Sequence, residues 1–170
     1  MVRIKKRKKV KLLVFNKKLI TKKYISWLNN KKLMQYSDRR HTLHNKKSCE
    51  NYFNSFKGTK NRFFAIMDKK NKEHVGNITA IIDNKNNTAD IGILVGEVNQ
   101  GYGLAAWNEM MKYLFSKNIR KITGGAMINN KAMIKIFKKS KMKFEYIKKK
   151  QYLYKYNMPV DFIGYYKFKK

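Results

Sequence analysis

The sequence has one cysteine, one proline and only ten carboxylates among 170 residues. A lone Cys49 excludes an intramolecular disulfide. Cys49 and the three histidines, His41, His44 and His74, fall in no metal-ligand spacing, so no metal site is expected. No run approaches eighteen consecutive apolar residues, so no membrane span is expected. The basic stretch Met1 to Lys9 is not followed by an apolar core of the length a signal peptide needs. Cytoplasmic residence is therefore the expectation. Arginine is also scarce, standing only at Arg3, Arg7, Arg39, Arg40, Arg62 and Arg120. Arginine is the usual reader of base edges, so its scarcity argues against sequence-specific nucleic-acid recognition.

What is present is lysine and apolar residues. Lys and Arg together number 41, for a formal net charge of +31. Hydrophobic residues make up 43% and aromatics 14%, enough for a packed core and against a disordered chain. A chain of this length forms one domain and buries roughly 70% of its extended surface on folding. The expectation is a single domain over residues 1–170, with 1–9 as a basic N-terminal extension. The lysines are scattered through nearly every segment, as expected of exposed faces. Such a field attracts anions and repels cations.

Val10 to Phe15 reads as a strand. Thr21 is placed to cap a helix with Tyr24, Ile25 and Leu28 on one face, ended by Asn29 and Asn30. A second helix is expected over Lys46 to Phe56, with Gly58 as its stop. Between them, Met34 to His44 has no clear periodicity. Phe63 to Met67, Val75 to Ile82 and Thr88 to Val95 read as strands joined by Asn-, Asp- and Lys-rich turns, the pattern of antiparallel hairpins. After Gly103, apolar residues recur at three- and four-residue spacing through Phe115, as in an amphipathic helix. A strand over Lys121 to Met127, a helix over Lys131 to Ser140, and strands over Phe144 to Tyr154 and Val160 to Phe168 complete the chain. The order predicts a mixed α/β (α+β) fold, a central sheet with helices on both faces.

The segment Ile91 to Ala105 carries the chemistry. A strand runs into a glycine-containing loop that opens directly onto a helix. Glycine lets backbone approach a bound group closely. The first turn of a helix has free N–H groups and a positive dipole end, suited to a phosphate or pyrophosphate.

Gln100-Gly101-Tyr102-Gly103-Leu104-Ala105-Ala106 resembles the acetyl-CoA pyrophosphate loop of the GNAT acetyltransferase superfamily, in the style of its bacterial ribosomal-protein and surface-amino-sugar members. Asn130, at the start of the next helix, is similar to the family's Asn that bonds the pantetheine arm. Phe137 to Glu145 resembles the family's stretch at the end of that helix. Trp27 to Asn30 and Tyr36 to Arg40 resemble its acceptor region. The resemblance spans Val10 to Phe168 and implies a mostly antiparallel GNAT sheet and acetyl transfer from acetyl-CoA to a primary amine. It implies cofactor contacts at Leu94, Val95, Gln100, Gly101, Tyr102, Gly103, Leu104, Ala105, Asn130 and Phe137, with a main-chain N–H near Leu94 or Val95 facing the thioester carbonyl. The chain departs from the family pattern at Val98, where Gln or Arg is usual, at Lys141, where Gly is usual, and at Phe137. There the family often has a Tyr that protonates the leaving thiolate.

Acetyl transfer needs a neutral amine near the thioester carbon and a route for protons. Glu97 beside the loop, Asp90 at the start of the same strand, and His41, whose residue type titrates near neutrality, are the candidate catalytic groups. Glu145 and Asp161 on the last strands are further carboxylates. Tyr36, Ser37 and Arg39, with Asp38, are the candidate acceptor contacts. Tyr102 and Trp107 also read as helix-packing residues. The positive field favours a small anionic amine, such as a nucleotide-linked amino sugar, over a basic protein tail. Two alternatives stay open: a protein N-terminal amine as acceptor, or a basic nucleic-acid-binding module without catalysis, its aromatics interleaved with Lys as in Tyr152 to Tyr156. The chain is expected as a monomer or homodimer.

Overall fold

A computed structural model describes residues 9–170, so most of the basic extension 1–9 lies outside the described residues. Seven strands form one sheet in the order β1-β2-β3-β4-β5-β7-β6. These are β1 (Val10–Val14), β2 (Arg62–Asp68), β3 (His74–Asp83), β4 (Thr88–Val95), β5 (Lys121–Met127), β6 (Lys143–Leu153) and β7 (Pro159–Phe168). All neighbours run antiparallel except β4 and β5, which are parallel. The helices are α1 (Lys22–Asn29), α2 (Lys31–Met34), α3 (Lys46–Asn54), α4 (Tyr102–Ser116) and α5 (Lys131–Lys139). None among the described residues is long and apolar enough to cross a membrane.

Period-two alternation divides the strands between two cores. Ile66, Ile78, Ile91 and Ile122 face α4 and α5 in a cluster centred on Trp107, Met110, Leu114 and Phe137. On the other face Phe63 and Ala65 meet Tyr24, Trp27, Leu28 and Cys49 from α1 and α3. The sheet is therefore covered on both sides, as the element order predicts.

Thr21 caps α1, accepting from the Tyr24 amide at 3.2 Å. Asn30 differs from expectation. It ends α1, but its side chain accepts from Lys32 and Leu33 at 3.0 and 3.1 Å and so starts α2 at once. A 3-10 turn over Asp38–His41, capped by Ser37, follows where no periodicity was visible. Side-chain capping explains both, because it stabilises short turns that carry no apolar repeat.

Candidate active site

β4 and β5 share only three rungs, Thr88↔Lys121, Ala89↔Ile122 and Asp90↔Thr123. Beyond Asp90 the strands part, although β4 continues to Val95 and β5 to Met127. The Gly96 amide donates to the Val75 carbonyl at 2.9 Å. Alternation from that bond turns the amides of Leu94 and Gly92 toward β3, and those of Ile93 and Val95 toward the gap. A groove of about 790 Å³ fills the gap, with Ile93, Val95, Met133 and Ile136 on one side and Tyr24, Leu28 and Phe63 on the other.

Two glycines set this opening. At Gly124 a Cβ would stand 2.7 Å from the Trp107 ring, so only glycine admits the buried indole beneath β5. Gly101 has a φ of +74° with open space around it, so backbone conformation rather than crowding requires glycine there. It precedes α4 and offers no side-chain cap, leaving the first-turn amides of Tyr102, Gly103 and Leu104 without a side-chain partner. The Ala105 amide returns to the Gly101 carbonyl at 3.3 Å.

The loop is held from outside its own segment. The Lys9 ammonium donates to the Gln100 carbonyl and lies 4.9 Å above the Tyr102 ring. Tyr102 is buried, and its phenol donates to the Asp68 carboxylate. That bond pushes the phenol up to about 12 and holds Asp68 below the usual carboxylate range. Tyr102 is thus an anchor of the loop. Asn130 borders the groove and caps α5, its Oδ1 accepting from the Met133 amide at 3.1 Å. Phe137 does not border the groove. It is fully buried, 5.4 Å from Trp107 and 4.8 Å from Tyr165 between ring centroids.

At the branch, Thr123 donates to Asp90 at 2.6 Å. Asp90 keeps access to water through the open groove but is enclosed by protein on its other sides. That enclosure pushes its carboxyl up, and the Thr123 bond offsets part of the rise. The Tyr146 ring lies flat on Gly164 and the Phe162 ring on Gly125, a directly paired glycine couple that seats both aromatics in the groove. Burial raises the Tyr146 phenol, as does the Asp90 charge.

Of the acceptor candidates, Tyr36, Ser37, Asp38 and Arg39 all line the groove. Tyr36 stacks on Tyr154 at 5.3 Å, and Arg39 lies 3.6 Å over Tyr52. The other carboxylate and imidazole candidates are elsewhere. Glu97 pairs with Lys23 at 3.0 Å, and His41 is exposed at the end of its 3-10 turn, neither lining the groove. Glu145 pairs with Lys121, and Asp161 accepts from Lys149 at 3.1 Å and from the Lys150 amide at 2.9 Å. Sequence reasoning missed the groove residues Asn77, Thr79 and Tyr146, the Asp90 partner Thr123, and the clamp Lys9. Each sits in an ordinary strand or basic run, and only the sheet register makes them neighbours.

Residues 20–143 match the family model for the acetyltransferase (GNAT) domain. No curated protein sequence matches the chain significantly. Among solved structures, a GNAT-family acetyltransferase from Bacillus anthracis superposes with a TM-score of 0.80 at 20% identity, covering 95% of each chain. The spermidine N-acetyltransferase of Vibrio cholerae, in complex with CoA and spermine, gives 0.83 at 16% identity over 95% of this chain and 96% of that one. A ribosomal-protein alpha-N-acetyltransferase in complex with coenzyme A gives 0.80 at 16%, over 94% of each. At these identities the likeness shows a shared fold.

Proposed function

The chain belongs to the GNAT acetyltransferase family, and from that premise we propose that it moves the acetyl group of acetyl-CoA to the primary amine of a small anionic acceptor, such as a nucleotide-linked amino sugar. The observation that carries this reading is the parting of β4 from β5 after Asp90↔Thr123, which opens a groove toward the uncapped start of α4. From Val95 to Asp90 the strand spans five residues, about 16 Å, comparable to an extended phosphopantetheine arm.

The diphosphate of CoA sits at the amides of Tyr102, Gly103 and Leu104, where the helix dipole favours an anion. Ile93 and Val95 offer unpaired backbone groups to the pantetheine amides, and the free Nδ2 of Asn130 offers another donor. This places the thioester beside Asp90 and Gly92. Acetyl-CoA supplies an activated acyl carbon. The acceptor nitrogen bonds to that carbon, the carbon–sulfur bond breaks, and Asp90 takes the proton the nitrogen gives up. The raised Asp90 carboxyl is the better base for this. With Phe137 in the core, the thiolate takes its proton from solvent.

Four charged residues line the groove: Lys32, Asp38, Arg39 and Asp90. A polyamine of the kind bound by the Vibrio cholerae enzyme finds two carboxylates and two cations there, within a chain of formal charge +31. The groove itself favours neither sign, and the positive field of the chain supports an anionic acceptor. Calorimetry with acetyl-CoA, with desulfo-CoA and ATP as controls, tests the cofactor. Acetylation of UDP-glucosamine, glucosamine 6-phosphate, spermidine and an Ala-leading peptide tests the acceptor. Micromolar CoA binding with turnover of the anionic amines is expected. Turnover of spermidine alone would sink the acceptor reading, and absence of acetyl-CoA binding at millimolar concentration would sink the whole.

A further inference from the structure

Two hydrogen-bond donors in the groove have no acceptor among the described residues. The Arg39 guanidinium lies face-on to Tyr52 at 3.6 Å, which fixes its plane and leaves its N–H edges free. Its backbone is fixed as well. The Arg39 amide donates to Ser37 Oγ at 3.2 Å, and its carbonyl lies 3.3 Å from the His44 ring. Among the described residues, no carboxylate pairs with it. The neighbouring Arg40 is the one that pairs with Asp38, at 3.9 Å, and binds the carbonyls of Ser37 and Leu153.

The second donor is Asn77, on the floor of the same groove and 5% exposed. Its Oδ1 faces His74 Nε2 at 3.0 Å, while its Nδ2 has no partner among the described residues. His74 sits among the rings of Phe15, Tyr24 and Trp27, which hold it in place. His74 therefore takes the oxygen end of the amide and leaves the nitrogen end unpaired among the described residues. Tyr24 stands near Arg39 and near the His74 partner of Asn77. Its ring is 6.2 Å from His74, and the Arg39 charge acts on its phenol.

A half-buried cation and a buried N–H, both unsatisfied, are costly unless an oxygen anion meets them. Neither can accept a hydrogen bond, so neither welcomes an ammonium. Asn77 pairs with Leu94 in the register, four residues along β4 from Asp90, which is about 13 Å.

We infer that Arg39 and Asn77 form an oxyanion subsite, which holds a phosphate or carboxylate that the acceptor carries about 13 Å from its reacting amine. The inference rests on reading the groove as an acceptor site. It narrows that reading to an acceptor whose anion is well separated from its amine, which a free amino acid does not offer. The small anionic amines that are too short gain only one end of the site.

The test is calorimetric titration of CoA-saturated protein with UMP, which has a phosphate and no amine, and with adipate, which has carboxylates only. At least one of them binds the wild type, and which one identifies the anion. Arg39→Met and Asn77→Leu each weaken that binding about tenfold or more, Asn77→Asp more than Asn77→Leu because it adds a repelling charge. Arg39→Met also makes binding less sensitive to salt. Arg39→Lys, which keeps the charge and loses the fork, falls between. Unchanged CoA affinity and melting temperature show that the variants fold. Failure of both probes to bind the wild type, or equal affinities in the folded variants, overturns the subsite. If UMP binds through Arg39 but UDP-glucosamine is not acetylated, the subsite stands and the proposed acceptor falls.

Discussion

Thr123 and Asp90 are joined side chain to side chain at 2.6 Å on the last rung that β4 and β5 share. The bond ties the two strands where they begin to part, and it aims the one carboxylate at the branch into the groove. Enclosure raises that carboxyl above the ordinary carboxylate value.

Replacing Asp90 by Asn tests the carboxyl directly. Because the folded-state value is raised, the wild type has the full stability of the protonated form below the ordinary 3.8 and loses it as pH rises through the folded value. Asp90→Asn removes that loss, so its stability relative to wild type rises over the same window, read by thermal melting at several pH values. Acetyl transfer falls by about two orders of magnitude, the usual worth of a general base. In the wild type, kcat/KM rises with pH through a value above 3.8 for the same group.

His74 predicts the opposite slope. Burial holds its imidazole below the ordinary 6.5, so the unfolded chain binds the proton first as pH falls. Stability is fully present above 6.5 and is lost as pH drops through the folded value. His74→Gln, which keeps an N–H for Asn77 Oδ1, flattens this dependence. A melting curve of the variant as steep in pH as the wild type would count against His74 as the titrating group.

Gly101→Ala meets no clash, since the nearest atom to the new Cβ is Lys9 Nζ at 4.0 Å. It does force a left-handed residue, at about 1–2 kcal/mol. Melting should fall modestly, while acetyl-CoA affinity falls more than tenfold if the loop amides hold the diphosphate, since a rebuilt loop misaims several donors at once. Equal loss of stability and no loss of affinity would remove the loop from the cofactor site.

Tyr102→Phe leaves the Asp68 carboxylate without its phenol donor. The carboxylate keeps the amides of Lys70 and Asn71 and loses one hydrogen bond to a charged group, worth about 1.5–3 kcal/mol, so the variant melts lower. The start of α4 exchanges its amide hydrogens faster, read by mass spectrometry. Acetyl-CoA binds more weakly with little change in kcat, because the loop is positioned by this bond and does not touch the reacting atoms.

Phe137→Tyr puts a hydroxyl into a core formed by Trp107 and Tyr165. Stability should drop by about 1–3 kcal/mol for a buried hydroxyl without a partner. Turnover should not rise. A gain in kcat would place position 137 beside the sulfur after all.

Much of the fold was legible in the sequence. Thr21 marked the start of α1, and the strand runs of β2, β3 and β4 are joined by Asn- and Asp-rich turns that the structure keeps. The Gly-Tyr-Gly loop marked where α4 begins. The candidate site was legible only in part. Asp90, Arg39, Tyr36 and Asn130 border one groove. Glu97 and His41 do not border that groove, the first pairing with Lys23 and the second exposed at the end of its turn. Nothing in the Gly76-Asn77 dipeptide announces a buried amide with a free donor.

Local physics explains the division. Turn chemistry, capping and apolar period act over a few residues, so the order of elements and the glycine loop before α4 were set by the sequence alone. The placing of Thr123 against Asp90, Lys9 against Gln100 and Arg39 against Tyr52 joins residues 33, 91 and 13 positions apart. Those distances close only when the sheet is assembled, because register decides which side chains share a face and where β4 parts from β5.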